Sequence, residues 1–420
     1  THKMTLSSLD LWKNSPAARL LAWSLLLFAI VGNFSISLSQ ISLGLALIST
    51  VILYRRGELE LRPAPLAAPF MFIALAGLLS VFVAGEKMRA LTEMKKFFVI
   101  LVFYLAWWPP ISADFKKKLL TAFVITATLT SILALHNVAM GKMLNDRARG
   151  FFSTSITFGE CQAMVAIVII TWLLAGTATR KGALGLAISG LLVIASMIST
   201  MSRGAWLGFA AGLLVFMIRF PRRMLPIMLV LGLIAGPVIM SVPAVRSRVE
   251  SFSISRNLEA LQQPLNGNFD SAALASNYER LNIWTRGFKM NENRSFFGVG
   301  MNNVKQEFYK LASDYERESG WLIYGHQHSN FMQFYAMTGI LGLCAFFIFL
   351  VATFKFLFNQ QPSNDWSNSL AMGAFALFTT FILTGLTEYS WGDEEVAMMA
   401  FFTTGLLANH KISESEPSKA

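Results

Sequence analysis

Cysteine is nearly absent: Cys161 and Cys344 are the only two, and both stand inside apolar runs. A disulfide framework and a cysteine metal site are therefore excluded. Charge is scarce as well. Asp, Glu, Lys and Arg make up 14% of the 420 residues, against about 25% in an ordinary soluble protein. Hydrophobic residues reach 54%, with 35 Phe. That balance excludes a disordered chain, a coiled coil and a soluble domain. Histidine is rare, with five in the chain. No internal repeat is evident.

What fills the chain instead is a series of long apolar blocks. A membrane-crossing helix needs about 20 mostly apolar residues. Candidates lie near 18–37, 39–54, 66–84, 96–109, 118–140, 157–176, 183–200, 204–219, 224–241, 329–357, 367–387 and 390–409. The segment at 96–109 is short unless Lys95 and Lys96 snorkel. The expected fold is an all-α integral membrane protein with about 12 transmembrane helices. Thr1–Lys3 ahead of Met4 read as a vector-derived remnant, and the first apolar run reads as a retained helix rather than a cleaved signal.

Lys and Arg exceed Asp and Glu by 35 to 24, a net charge of +11. In a membrane protein this excess first serves topology rather than nucleic acid. Arg55, Arg56 and Arg62, then Lys116, Lys117 and Lys118, then Arg180 and Lys181, then Arg219, Arg222 and Arg223 fall in alternate loops. Placing those loops inside puts both termini inside. Residues 4–241 then carry spans one to nine and residues 329–409 the last three. Residues 410–420 form an inside tail. Residues 242–328 form a large outer loop, too long to be a passive connector. Its sequence has helical rhythm, at Tyr278, Leu281, Trp284 and Phe288 and at Val304, Phe308, Leu311 and Tyr315. Phe296–Gly300 reads as a turn between the two. A transporter of two six-span halves places its long connector after the sixth span; here it follows the ninth.

Topology asks for no positive charge on the outer side, so the outer arginines invite a second explanation. Arg203 sits in Thr200–Trp206 between two apolar runs. It reads as a snorkelling loop residue or as part of an anion site, since the guanidinium fork binds phosphate oxygens in pairs. Arg280 reads as half of a salt bridge with Glu279 or another helix-face acid, or as a second member of that site. Arg147 and Arg149, flanking Ala148, read as a solvated loop end or as its rim. His136 reads as a core or interface residue. His326 and His328 stand where the outer loop re-enters the membrane. A histidine there suits a general base. A metal pair is the weaker alternative, because catalytic zinc usually takes three protein ligands. Glu388, Asp393, Glu394 and Glu395 at the last outer turn either orient that histidine, bind sugar hydroxyls, or form a hydrated turn.

These residues resemble the O-antigen ligases of the O-antigen ligase/polymerase superfamily. The family's signature is a His followed by Asn, Ser or Gln, then nine residues, then Gly-x-x-Gly. Here His328 and Ser329 are followed by 330–338 and then Gly339, Ile340, Leu341 and Gly342. Arg280, Trp284 and Gly298-Val299-Gly300 resemble its upstream part, and Arg203-Gly204 with Trp206 its short outer turn. Arg147–Phe151 resembles a looser feature. The resemblance implies a GT-C-like membrane glycosyltransferase in the bacterial inner membrane, its site facing the periplasm. It implies transfer of polysaccharide from undecaprenyl diphosphate to lipid A–core, with lipid partners and no nucleic acid. His328 would be the base, and Arg203 and Arg280 the diphosphate clamp. Arg147, Arg149, Trp284, His326 and Glu388 would bind substrate. No cofactor or metal is expected. An O-antigen polymerase or a protein-directed oligosaccharyltransferase would keep this chemistry. A lipid-glycan flippase would want charge deep in its spans, which are nearly free of it.

Overall fold

The computed structural model describes residues 15–142, 147–250, 253, 272–319, 323–360 and 364–409. Residues 1–14, the tail 410–420 and the middle of the large loop lie outside the described residues. Helices dominate and no strand occurs among the described residues. In chain order they are α1 (Pro16–Val31), α2 (Ile36–Arg55), α3 (Ala67–Val83), α4 (Lys87–Glu93), α5 (Val99–Trp107), α6 (Ala113–Ala139), α7 (Ser155–Ala175), α8 (Arg180–Ser199), α9 (Arg203–Arg219), α10 (Pro221–Ser241) and α11 (Pro243–Glu250). Then follow α12 (Ala272–Met290), α13 (Val304–Leu311), α14 (Asp314–Ser319), α15 (Asn330–Phe358), α16 (Asp365–Thr384) and α17 (Glu394–Ala408).

Every apolar block holds one helix, as apolar sequence in lipid must satisfy its backbone internally. Among the described residues six helices, α2, α6, α7, α8, α15 and α16, are long and apolar enough to cross a membrane. Helices α1 and α3 are apolar but shorter. The chain is a multi-pass, all-α integral membrane protein, though fewer than twelve helices meet that test by themselves. Two ends move inward from their expected places: α16 stops at Thr384 and α17 starts at Glu394. Span 96–109 is a 3₁₀ turn over Met94–Phe98 followed by α5.

Helix α7 is the axis. It is buried along most of its length and packs against α8, α9 and α16. Glycines set the tightest of these contacts. Gly204, Gly208 and Gly212 lie one turn apart on α9, facing α16. A Cβ on Gly204 would come 2.7 Å from Thr387 Oγ1, and one on Gly208 2.6 Å from the Thr380 carbonyl. Small residues at this spacing let two membrane helices approach at backbone distance. The result holds Arg203, one residue before Gly204, against the turn after α16.

Helix α15 is broken. Gly339 has φ +65° and ψ −161°, and Ser329 caps the first turn by accepting from the Met332 N–H at 3.4 Å. The break frees backbone groups that would otherwise bond four residues away. Segment 295–300 takes them up. Val299 N–H donates to Ala336 O at 2.9 Å and Gly300 N–H to Met337 O at 3.0 Å. Ile340 N–H donates to Ser295 O at 2.8 Å and Leu341 N–H to Phe296 O at 3.3 Å. Gly298, at φ +73°, passes so close that a Cβ would lie 2.6 Å from the Thr338 nitrogen.

The loop subdomain has its own small core of Ile283, Met290, Val299, Val304 and Phe308, closed by Ala336 and Met337 of α15. Two expectations need correction. Phe288 is exposed and the inward face of α12 runs instead through Tyr278, Ile283 and Met290. The rhythm from Val304 to Tyr315 is not one helix, because Ala312 turns extended (φ −75°, ψ 143°) and ends α13.

Candidate active site

A cavity of about 220 Å³ opens where α9, α11, α12 and the turn after α16 meet. Arg147, Arg203, Arg248, Arg280 and Glu388 line it, with Ser202, Ser276 and Asn277. Four guanidinium groups thus surround one carboxylate. Burial holds Arg248 below the usual arginine range, and Arg280 adds repulsion. Burial also lowers Arg147, helped by Arg248 and Arg280 and opposed by Glu388. Cations placed so close, and so poorly hydrated, favour a multiply charged anion.

Arg280 is fixed from three sides. Its Nε donates to the Thr387 carbonyl at 3.0 Å, Nη1 reaches Ser276, and Nη2 is ion-paired with Glu388. The acid partner comes from the α16–α17 turn, not from Glu279. The other oxygen of Glu388 lies 3.1 Å from Nδ1 of His328. Burial by itself would push the Glu388 carboxyl up; Arg280 and His328 outweigh it and hold the group below the usual range. Glu388 stays ionised and binds both partners at once. With Nδ1 donating to it, His328 keeps Nε2 as an acceptor, the arrangement a general base needs.

His328 does not itself line the cavity; it joins through Glu388. Its backbone has φ +47°, uncommon for a residue with a side chain. His326 supports that turn, its Nδ1 accepting from the His328 N–H at 3.3 Å and its ring lying 4.3 Å from the His328 ring. Burial pushes His326 down to about 4, with His328 adding repulsion. His326 is therefore neutral at physiological pH, which the accepted hydrogen bond requires. Trp284 does not reach the cavity. Its Nε1 donates to the Gln327 carbonyl at 2.9 Å, steadying the residue between the two histidines.

The structure thus brings together Arg147, Arg203, Arg280, Glu388, His326 and His328. Arg149 stands apart, in a neighbouring hollow. The turn at 388–395 is hydrated only in part: Glu388, Ser390 and Trp391 are buried, while residues 392–395 are half-buried. Asp393 accepts from Thr157 at 2.7 Å and caps α17, so it does not orient the histidine. His136 lies on an exposed face of α6 rather than in the core. No group of acids, histidines and cysteines able to hold a metal occurs among the described residues.

Two residues escape a reading of the sequence. Arg248 is one; the signal was there, a basic pair with Arg246 at the start of the large loop. Glu160 is the other, the one charged residue of α7. It is 3% exposed and its Oε2 makes no hydrogen bond. No curated protein matches the chain in sequence. Residues 188–347, which hold Arg203, Arg248, Arg280, His326 and His328, match the O-antigen ligase family model, and the match supports membership of the O-antigen ligase superfamily.

Proposed function

We propose that the protein is an O-antigen ligase, transferring polysaccharide from undecaprenyl diphosphate to a sugar hydroxyl of lipid A–core on the periplasmic face of the inner membrane. The observation that carries this reading is Glu388, which holds Arg280 of the four-arginine cavity with one oxygen and His328 with the other. An anion site and a candidate base share one carboxylate.

In this reading the donor diphosphate occupies the cavity. His328 Nε2 takes the proton of the acceptor hydroxyl, a contribution of about 10²–10⁴-fold. The acceptor oxygen attacks the anomeric carbon as the bond to the diphosphate oxygen breaks, and the diphosphate leaves with the electron pair. Arg203, Arg280, Arg248 and Arg147 stabilise that developing charge, the kind of preorganised electrostatics that is usually the largest catalytic contribution. Direct displacement inverts the anomeric centre and forms no covalent intermediate. A diphosphate is already a good leaving group, so neither nucleotide nor metal is required. Glu388 keeps the imidazole oriented and balances its positive charge. From the loop, α11 and α12 wall the site through Arg248, Ser276, Asn277 and Arg280.

The test is a reconstituted transfer assay in EDTA with polyprenyl-diphosphate glycan and lipid A–core, comparing wild type with His328→Ala. Metal-free ligation by wild type, lost in a folded His328→Ala protein, is the expected result. No ligated product from wild type would pass the assignment to chain extension, protein glycosylation or export. Full activity of His328→Ala would remove the base. Unchanged donor affinity in Arg203→Ala and Arg280→Ala would remove the clamp.

A further inference from the structure

Arg147 stands between two cavities. On the far side from the four-arginine site lies a second one, about 310 Å³, lined by Asn137, Lys142, Arg147, Arg149 and Gly150 among others. Three cations face it, and among the described residues none of the three forms an ion pair with a carboxylate. The backbone beneath them is fixed. Ala148 N–H donates to the Ser199 carbonyl at 3.0 Å, and Arg147 Nε donates to the Thr200 carbonyl at 2.7 Å. Gly150, at φ +54°, sits so close to α6 that a Cβ would meet Thr130 at 2.8 Å. Next in sequence, Phe151 is 60% exposed with Phe34 edge-on at 6.2 Å.

We propose that this second cavity binds a phosphate group on the acceptor glycolipid, separate from the donor diphosphate. The inference rests on the transferase reading above. Three cations with no acid among the described lining residues fit a phosphate, which accepts from an arginine fork and an ammonium together. A neutral sugar calls for carboxylate or amide acceptors for its hydroxyls, and among the described lining residues only Asn137 supplies one. Arg147, shared by both cavities, screens one phosphate from the other and brings acceptor and donor within the breadth of a side chain. Positioning of this kind turns a bimolecular encounter into an oriented one.

The experiment uses the full chain in vesicles and the variant Lys142→Ala/Arg149→Ala. Transfer is measured onto intact and phosphatase-treated lipid A–core. The expected result is an acceptor KM raised about tenfold with kcat and donor KM unchanged, a modest figure because both side chains are exposed. On the dephosphorylated acceptor, wild type should show the same raised KM and the variant no further change. An unchanged acceptor KM, or an equal rise on both acceptors, would overturn the proposal. So would a raised donor KM, which would make the cavity part of the donor site. Binding of intact lipid A–core without donor is measured in parallel. It reads the pocket even if wild type transfers nothing, a result that would sink the transferase reading alone. Equal competition from phosphatidylglycerol vesicles or inorganic phosphate would make the site one for any phosphate and overturn the acceptor assignment.

Discussion

Replacing Glu388 with Gln removes one charge and almost no volume. The carboxylate touches two groups of opposite function, so its loss should separate them. His328 becomes positively charged as it takes the acceptor proton. Two unit charges about 4 Å apart at an effective dielectric of about 20 interact by about 4 kcal/mol. The side chains are 19% and 7% exposed, so some screening remains. A loss of about 3 kcal/mol from the transition state is a fair figure, or about a hundredfold in kcat. The donor should respond the other way. Without Glu388 the cavity carries one negative charge fewer, and donor KM should stay level or fall. The assay is steady-state transfer in vesicles, with kcat and donor KM measured separately. Folding is checked by thermal unfolding, because stranding a buried cation costs about 3–5 kcal/mol. Glu388→Asp, which keeps the charge, should recover part of the rate. A folded Glu388→Gln protein with kcat within about threefold of wild type would refute the coupling. A donor KM raised in step with the loss of kcat would reduce Glu388 to a structural brace.

Three further outcomes follow from the packing. Gly208→Ala places a Cβ against Thr380 and Thr384 of the adjoining helix and should cost about 1–3 kcal/mol, read as a lower unfolding temperature in detergent; an unchanged midpoint would show that α9 and α16 can part freely. Gly298→Ala adds a side chain at φ +73° and pushes on the Met337–Thr338 peptide; it should lower stability and activity together by about 1–3 kcal/mol, checked by thermal unfolding and transfer. His326 gives a pH effect of definite sign. Its folded pKa, about 4, lies below the value near 6.5 of a free histidine. The unfolded chain therefore takes up a proton first, and stability falls as pH drops from about 6.5 towards 4, by something on the order of 2 kcal/mol. The unfolding midpoint of His326→Gln should decline less than that of wild type over this window, and parallel curves would contradict the assignment.

The apolar blocks were legible because burial in lipid leaves a composition signal that needs no partner. Arg203 and Arg280 stood out because the sequence reading puts them on the side where topology calls for no cation. His328 carried a spacing to Gly339 that the structure explains, since the histidine turn opens α15 and the glycine breaks it. Glu388 and His328 are 60 residues apart, and Arg280 lies 108 residues from Glu388. Nothing local in either segment singles out Glu388 from Asp393, Glu394 and Glu395 as the acid that pairs with the histidine. Arg248 was hidden by its company, as a surface-looking pair with Arg246. Tyr315 failed for the opposite reason: a helical period continued in the sequence after Ala312 had already turned the chain.

The interrupted ladder at Gly339 bears on how this chain could be recombined with a relative. Hydropathy draws a boundary near residue 328, with loop on one side and span on the other. Four main-chain hydrogen bonds cross it, joining Ser295–Gly300 to Ala336–Leu341. A chimaera cut at that boundary would set one parent's Gly298 against the other's helix break. Main-chain bonds tolerate foreign side chains, but the close approach requires a bare glycine and the matching break in register. The smallest portable piece therefore runs from Ala272 to Gly342. It carries Arg280, the two histidines and the upper half of a membrane helix, and moves as one.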